Sequence, residues 1–237
     1  MPTTTRVGTE SAANTAIGGI PTVHYFDFMS RGRGQTVRLL WDDAGVAYNN
    51  TVYSMEEYPQ FKEDLIKKLN PTGNVPVVEL NGQVLVQSYA ILRHFARLLG
   101  AYDGKTLEDK YFVDVITDIV TDWRTLFVNA FLSENKEEDF PKHQQGDRKH
   151  YLAAIERHLN ENASAKTGPY IIGKEFTYGD VLLYQILHDE SLVQDGRKEL
   201  QAYPRIVQFV EATEARPNIK AFLESDRYRG EELDLDL

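Results

Sequence analysis

Two short stretches carry the residues best placed to do chemistry. Asn74-Val75-Pro76-Val77-Val78-Glu79-Leu80-Asn81-Gly82-Gln83-Val84-Leu85-Val86-Gln87-Ser88 reads as a hairpin running into a helix. Asn81-Gly82 lies between two apolar runs, and both central residues of a type I′ turn need positive φ, which Asn and Gly tolerate. Pro76 removes a backbone donor at the entrance to the first strand, so that strand is expected at a sheet edge or with its first residue facing outward. Backbone groups left open there could pair with the peptide backbone of a ligand. Ser88 stands at the expected N-cap of the helical run Tyr89 to Leu99, and no acidic residue follows in the first turn. The positive end of that helix is therefore left for an anion from elsewhere. The second stretch is His24-Tyr25-Phe26-Asp27, where Tyr25 ends a short strand and its hydroxyl can face a cleft above the sheet.

The 237 residues include no cysteine. That excludes a disulfide framework, a thiolate zinc site and a CxxC redox pair, so any thiol chemistry needs a thiol that arrives with the ligand. The net charge of −10, with Glu231-Glu232-Leu233-Asp234-Leu235-Asp236-Leu237 at the end, leaves no footprint for nucleic acid or anionic lipid. No apolar run approaches a membrane span, and the N-terminus lacks the basic-then-apolar order of a secretory signal, so a cytoplasmic protein is expected.

Positioning these residues requires elements whose order defines the fold. Residues 1–21 are rich in Thr, Ala, Gly and Ser without a periodic apolar face and read as a mobile extension. Val23 to Phe26 reads as a strand, Gly34 to Ala44 as a helix with Val37, Leu40, Trp41 and Ala44 on one face, and Tyr48 to Tyr53 as a second strand. With the hairpin and its helix the order is β-α-β-α-β-β-α, a thioredoxin-like domain over residues 22–101. Gly100 to Lys105 is a turn-rich break. Beyond it Leu107 to Phe131, Asp147 to Glu161, Asp180 to Val193, Pro204 to Ala215 and Pro217 to Ser225 read as helices, giving an all-helical domain over 107–226 and an acidic tail over 227–237. The expected class is α/β followed by all-α.

The Val75-Pro76 and Gln87-Ser88 pairs, with His24-Tyr25-Phe26-Asp27 and Arg31-Gly32-Arg33-Gly34-Gln35-Thr36-Val37-Arg38-Leu39-Leu40, resemble the cytosolic glutathione S-transferases, nearest to the tyrosine-type and sigma-like classes. The resemblance runs from Val23 to Phe222. It implies glutathione as co-substrate, conjugated to a small electrophile in a detoxifying reaction by a homodimer. Tyr25 would hydrogen-bond the glutathione sulfur. The loop Asp27-Phe28-Met29-Ser30 is longer than the sigma pattern, so Ser30 is the alternative donor, with Arg31 or Arg33 adding positive charge. Asn74, Val75 and Pro76 would present backbone groups at a cis-proline turn to the cysteinyl moiety. Gln87 and Ser88 would hold the γ-glutamyl end, Tyr58 and Lys62 the glycyl end, and Asp122 would reach the γ-glutamyl amine of a neighbouring subunit. Lys62 reads equally well as solvated surface, and Asp114 and Asp118 read as a solvated stripe with Asp122. Phe28, Met29, Trp123, Arg124 and Phe127 stand where an apolar second substrate would lie, although core packing explains most such aromatics. Thr177 and Asp180 form an expected capping box. Other readings of the resemblance are a glutathione-dependent isomerase, a biosynthetic transferase, or a glutathione-binding regulator or carrier without turnover.

Overall fold

The structure, a computed structural model, describes residues 2–193 and 196–230, so the acidic end over residues 231–237 lies outside the described residues. The chain forms two compact units, residues 2–101 with 216–230, and residues 102–215.

The first unit begins with β1 (Thr3–Val7), α1 (Ala12–Ile17), β2 (Thr22–Phe26), α2 (Gly32–Ala44) and β3 (Tyr48–Tyr53). It continues through the short helices α3 (Tyr58–Phe61) and α4 (Lys67–Leu69), joined by a π-helical turn over Lys62–Ile66, to the hairpin β4 (Val77–Leu80) and β5 (Gln83–Val86) and then α5 (Ser88–Leu99). The five strands lie in the order β1-β3-β2-β4-β5. β2 and β3 are parallel and the other pairs antiparallel. Alternation along β2 divides the sheet's faces: Val23 and Tyr25 point to one, His24 and Phe26 to the other. On the second face Tyr53, Ile66 and Val77 form a buried cluster against Tyr58, Phe61 and Leu69.

Residues 1–21, expected to be mobile, are structured where described. β1 pairs along its length with β3, from Thr3 opposite Val52 to Val7 opposite Tyr48. α1 has a capping box built by Ser11 and Asn14. Asn14 is fully buried, its amide donating to the Ala47 and Gly19 carbonyls and its oxygen accepting from the Ala47 N–H. Pro76 does not mark a sheet edge either: β4 lies between β2 and β5, and the proline is accommodated because the ladder begins one residue later, at Val77. Asn81 and Gly82 take the positive φ values, 51° and 76°, that the turn demands.

A C-terminal segment returns to this unit. Its helix, Pro217–Leu223, was expected within the all-helical domain but groups with residues 2–101. Arg216 makes a bidentate bond to Asp43 at 2.8 and 2.6 Å, and Asn218 donates to the Asp43 carbonyl. Arg227 reaches Asp42, while Arg229 binds Asp27 through its guanidinium and Ser30 through its backbone. The segment thus holds α2 at its C-terminal end and the loop that precedes it.

The second unit contains α6 (Leu107–Phe131), α7 (Lys136–His143), α8 (Lys149–Glu161), α9 (Tyr178–Ser191), α10 (Gly196–Glu199) and α11 (Pro204–Glu214). α9 is its centre, buried from Tyr178 to Glu190 and opened by the expected Thr177–Asp180 capping box. α7 was not expected: it buries only Phe140 and His143, too few apolar residues for a visible period, and it contains Pro141.

Candidate functional site

β2 ends at a place where four elements meet in the first unit. The register sets His24 opposite Val77, so the next residue of β2, Tyr25, comes beside Pro76. The Tyr25 side chain is 5% exposed, and its hydroxyl oxygen accepts the Arg33 backbone N–H at 3.1 Å. That N–H belongs to the first turn of α2, whose early donors have no partner within the helix. The phenol therefore sits on the positive end of a helix dipole. Arg38, one turn further along, lies with its guanidinium 5.6 Å from the centre of the Tyr25 ring and is held by Asn50 of β3 at 2.9 Å. Burial pulls the Arg38 guanidinium below its ordinary range, against the raising influence of Tyr48, Tyr25, Asp42 and Asp27.

Ser30, the alternative donor, is 3% exposed. Its hydroxyl accepts the Arg229 backbone N–H at 2.9 Å, and its own N–H donates to the Arg229 carbonyl at 3.2 Å. The longer loop is thus a docking point for the C-terminal segment. Arg31 is buried and directs its guanidinium to the Met29 sulfur, while Arg33 lies over the Tyr89 ring at 5.4 Å. The Arg33–Tyr89 contact links the start of α2 to the start of α5, since Tyr89 directly follows Ser88.

On the hairpin side the Val75–Pro76 peptide bond is cis. Asn74 is fixed through its carbonyl, which accepts from the buried Asn70 amide at 2.8 Å. Ser88, expected as an N-cap, is instead the first residue of α5, and Gln87 takes the cap position with φ 68° and no capping side-chain bond. That left-handed backbone turns the chain into the helix one residue earlier than the Ser rule foretells. Ser88 is 4% exposed at a helix end without acidic residues in its first turn, as expected. Tyr58 donates its hydroxyl to the Gly73 carbonyl at 2.9 Å and packs edge-on to Phe26. Lys62 is half-buried, its stem lying against Gly73.

In the second unit Asp122 is exposed on α6, as is Asp118. Asp114 is not part of a solvated stripe: it accepts the Tyr178 hydroxyl at 2.6 Å. Trp123, Arg124 and Phe127, expected near a second substrate, face the interior of the helical unit. The Trp123 indole stacks on Tyr151 and donates to Glu190, Arg124 pairs with Asp189 at 2.6 Å, and Phe127 packs on Phe131 and Phe140. Phe28 and Met29 remain half-buried in the loop before α2, Met29 with φ 52°.

Sequence reasoning passed over Gly32 and Gly34, which make room for Tyr25. Gly32 has φ 76°, and a Cβ there would lie 2.6 Å from the Tyr25 hydroxyl oxygen. The Arg-Gly-Arg-Gly alternation was the available signal, since two glycines opening a helix forfeit helix propensity for some reason.

A parallel β2–β3 pair, an antiparallel hairpin entered through a cis-proline and flanking helices define a thioredoxin-like domain, followed here by a helical one. Comparison with known proteins narrows the class. Residues 21–97 match the family model "Glutathione S-transferase, N-terminal domain" and residues 121–226 match "Glutathione S-transferase, C-terminal domain". The chain is 31% identical over 209 residues to "Glutathione S-transferase P" of Homo sapiens, covering 87% of this chain and 93% of that protein. It is 30% identical over 208 residues to "Glutathione S-transferase P 10" of Caenorhabditis elegans, covering 86% and 91%. The crystal structure of the glutathione S-transferase from Ascaris lumbricoides superposes with a TM-score of 0.71 at 29% identity, covering 88% of this chain and all of that one. The chain belongs to the glutathione S-transferase family and is a transferase with glutathione as its co-substrate. β1 and α1 precede the portion matched by the family model.

Proposed function

We propose that Tyr25 ionises the glutathione thiol and that the thiolate is conjugated to a small apolar electrophile. The single observation that carries this reading is the Tyr25 hydroxyl seated at the start of α2, accepting the Arg33 N–H. A phenol oxygen that accepts from the backbone is polarised toward donating its own proton, in the manner of linked hydrogen bonds. A free thiol with a pKa near 8.5 is only a few per cent thiolate at pH 7, and a fall of about two units, worth about 2.7 kcal/mol, makes most of it nucleophilic. One hydrogen bond to the charged sulfur together with the helix end and nearby arginines is of that size. The thiol proton leaves to solvent, Tyr25 keeps its own, and the sulfur forms its bond to the electrophilic carbon while the leaving group departs or the acceptor is protonated.

Asn74 and Val75, before the proline at Pro76, would meet the cysteinyl backbone, and Gln87 with Ser88 and the start of α5 the γ-glutamyl carboxylate. Lys62 would pair with the glycyl carboxylate. Tyr58 would contribute its ring, because its hydroxyl is engaged with Gly73. Asp122 would serve the site of a partner subunit in a homodimer, which is the reading its exposure on α6 supports. The sigma-like assignment rests on the hairpin, His24 to Asp27 and Arg31 to Leu40, with the Tyr58-to-Lys62 segment beside them. Among the described residues no helix is long and apolar enough to cross a membrane. The isomerase and carrier alternatives are not favoured, since the relatives that match over nearly their whole length are named transferases.

The test is ultraviolet titration of glutathione bound to Tyr25→Phe and Ser30→Ala. Tyr25→Phe should raise the bound thiol's pKa toward the free value and slow conjugation of an activated aryl halide at neutral pH, with affinity little changed. A pKa raised only in Ser30→Ala would transfer the role to Ser30.

A further inference from the structure

We infer that Gly34 is a positioning residue for the thiol-activating hydroxyl: its missing side chain is the socket in which the Tyr25 ring lies. This rests on the reading of Tyr25 given above. A Cβ on Gly34 would come 2.3 Å from Tyr25 Cγ, and 2.5 and 2.6 Å from the two Cδ atoms. These atoms are the root of the ring, next to the backbone of β2, so they cannot swing aside as the end of a flexible chain would. β2 itself is held between β3 and β4 and has no slack to give. A methyl group at position 34 therefore displaces the ring by rotation about χ1, and the hydroxyl at its far end moves furthest.

The three heavy atoms nearest to such a Cβ all belong to the Tyr25 ring. Gly34 is the third residue of α2 with ordinary helical geometry, whereas Gly32 has a positive φ that favours glycine on its own. Alanine is the better helix former. The absent methyl is thus a cost to α2 whose return is the place of Tyr25. On the same helix face, one turn on, Arg38 stands over the ring, and the Arg33 N–H meets the hydroxyl. The ring fits against a helix whose backbone, cation and first-turn donor all address it. Displacing it breaks the Arg33 bond and withdraws the phenol from the sulfur while leaving the groups proposed to bind glutathione in place.

The experiment compares wild type, Tyr25→Phe, Gly34→Ala and the double variant in the ultraviolet titration of bound glutathione. Gly34→Ala should raise the thiol's pKa by about one unit, which from about 6.5 lowers the thiolate fraction at pH 7 about threefold. Glutathione's dissociation constant should change less than about threefold, since the atoms nearest to the added methyl are those of the Tyr25 ring and not the residues proposed to bind glutathione. The double variant should titrate like Tyr25→Phe alone, because a ring without its hydroxyl has nothing left to misplace. A purely structural glycine would leave the thiol's pKa where it is. An effect of Tyr25→Phe with none of Gly34→Ala overturns the inference and leaves the Tyr25 reading standing; no effect of either removes both. Thermal unfolding in a Tyr25→Ala background guards against a poorly folded single variant. With the ring gone, Gly34→Ala should raise the melting temperature as helix propensity directs, and a fall there would overturn the socket.

Discussion

Asp189 and Glu190, neighbours in α9, are each buried against cations in the helical unit. Asp189 pairs with Arg124, and Glu190 accepts from the Trp123 indole at 2.7 Å and the His143 imidazole at 2.9 Å. Arg148 Nε lies 2.6 Å from the other Glu190 oxygen, at an angle that makes the contact an ion pair more than a directed hydrogen bond. Burial pushes the Asp189 carboxyl up, but Arg124 and His188 outweigh it, and the net shift is downward. A carboxylate held below its unfolded value contributes stability that is present above about pH 3.9 and is lost as pH falls through the lower, folded value. Removing one partner of such a pair strands the other, so Asp189→Ala should cost about 3–5 kcal/mol in urea unfolding. A loss below about 1 kcal/mol would mean that water or another acid takes over Arg124. Side chains of this kind were hardest to read from the sequence. Trp123 and Arg124 resembled ligand contacts because their partners, Glu190 and Asp189, are distant in sequence. The places of Tyr25 near a strand end and of Val75-Pro76 before the hairpin were legible because local context carries that geometry, whereas Ser88 fell one residue inside the helix it was expected to cap.

Elements were legible in proportion to their periodic length. α6 runs from Leu107 to Phe131, the bounds its pattern foretold, and β3 likewise from Tyr48 to Tyr53. β1 and α1 were missed because Thr-Thr-Thr has no apolar alternation and six residues are too few for a helix to declare itself. Their order is tertiary, supplied by Asn14 within the first unit and by the Asn81 amide, which donates to the Gly18 carbonyl at 2.9 Å. Asn14→Ala leaves the Ala47 N–H and carbonyl buried without that partner, and should destabilise the unit by about 1–3 kcal/mol. Faster hydrogen exchange confined to residues 3–17 and 47–52 would locate the loss. Unchanged exchange there would show that β1 is held by its ladder alone.

For the whole molecule, composition and assembly decide most. Asp122 is exposed on α6, and its proposed service to a neighbouring site needs a second subunit. Asp122→Ala should weaken glutathione binding in calorimetry while sedimentation still finds a dimer, and a wild-type monomer that binds glutathione normally would end that role. The sequence could not show that residues 216–230 rejoin the first unit, because the ties are single contacts between residues far apart, such as Arg216 to Asp43 and Arg229 to Ser30. That return also sets a timetable during synthesis. Residues 102–229 must be translated before the loop that precedes α2 receives its last partner, Arg229, a wait of about 6–26 s at common elongation rates of 5–20 residues per second. Until then the nascent first unit carries Asp42 and Asp43 without Arg227 and Arg216, and Ser30 without Arg229. Parts of the first unit are thus completed by partners that are made only after the helical unit.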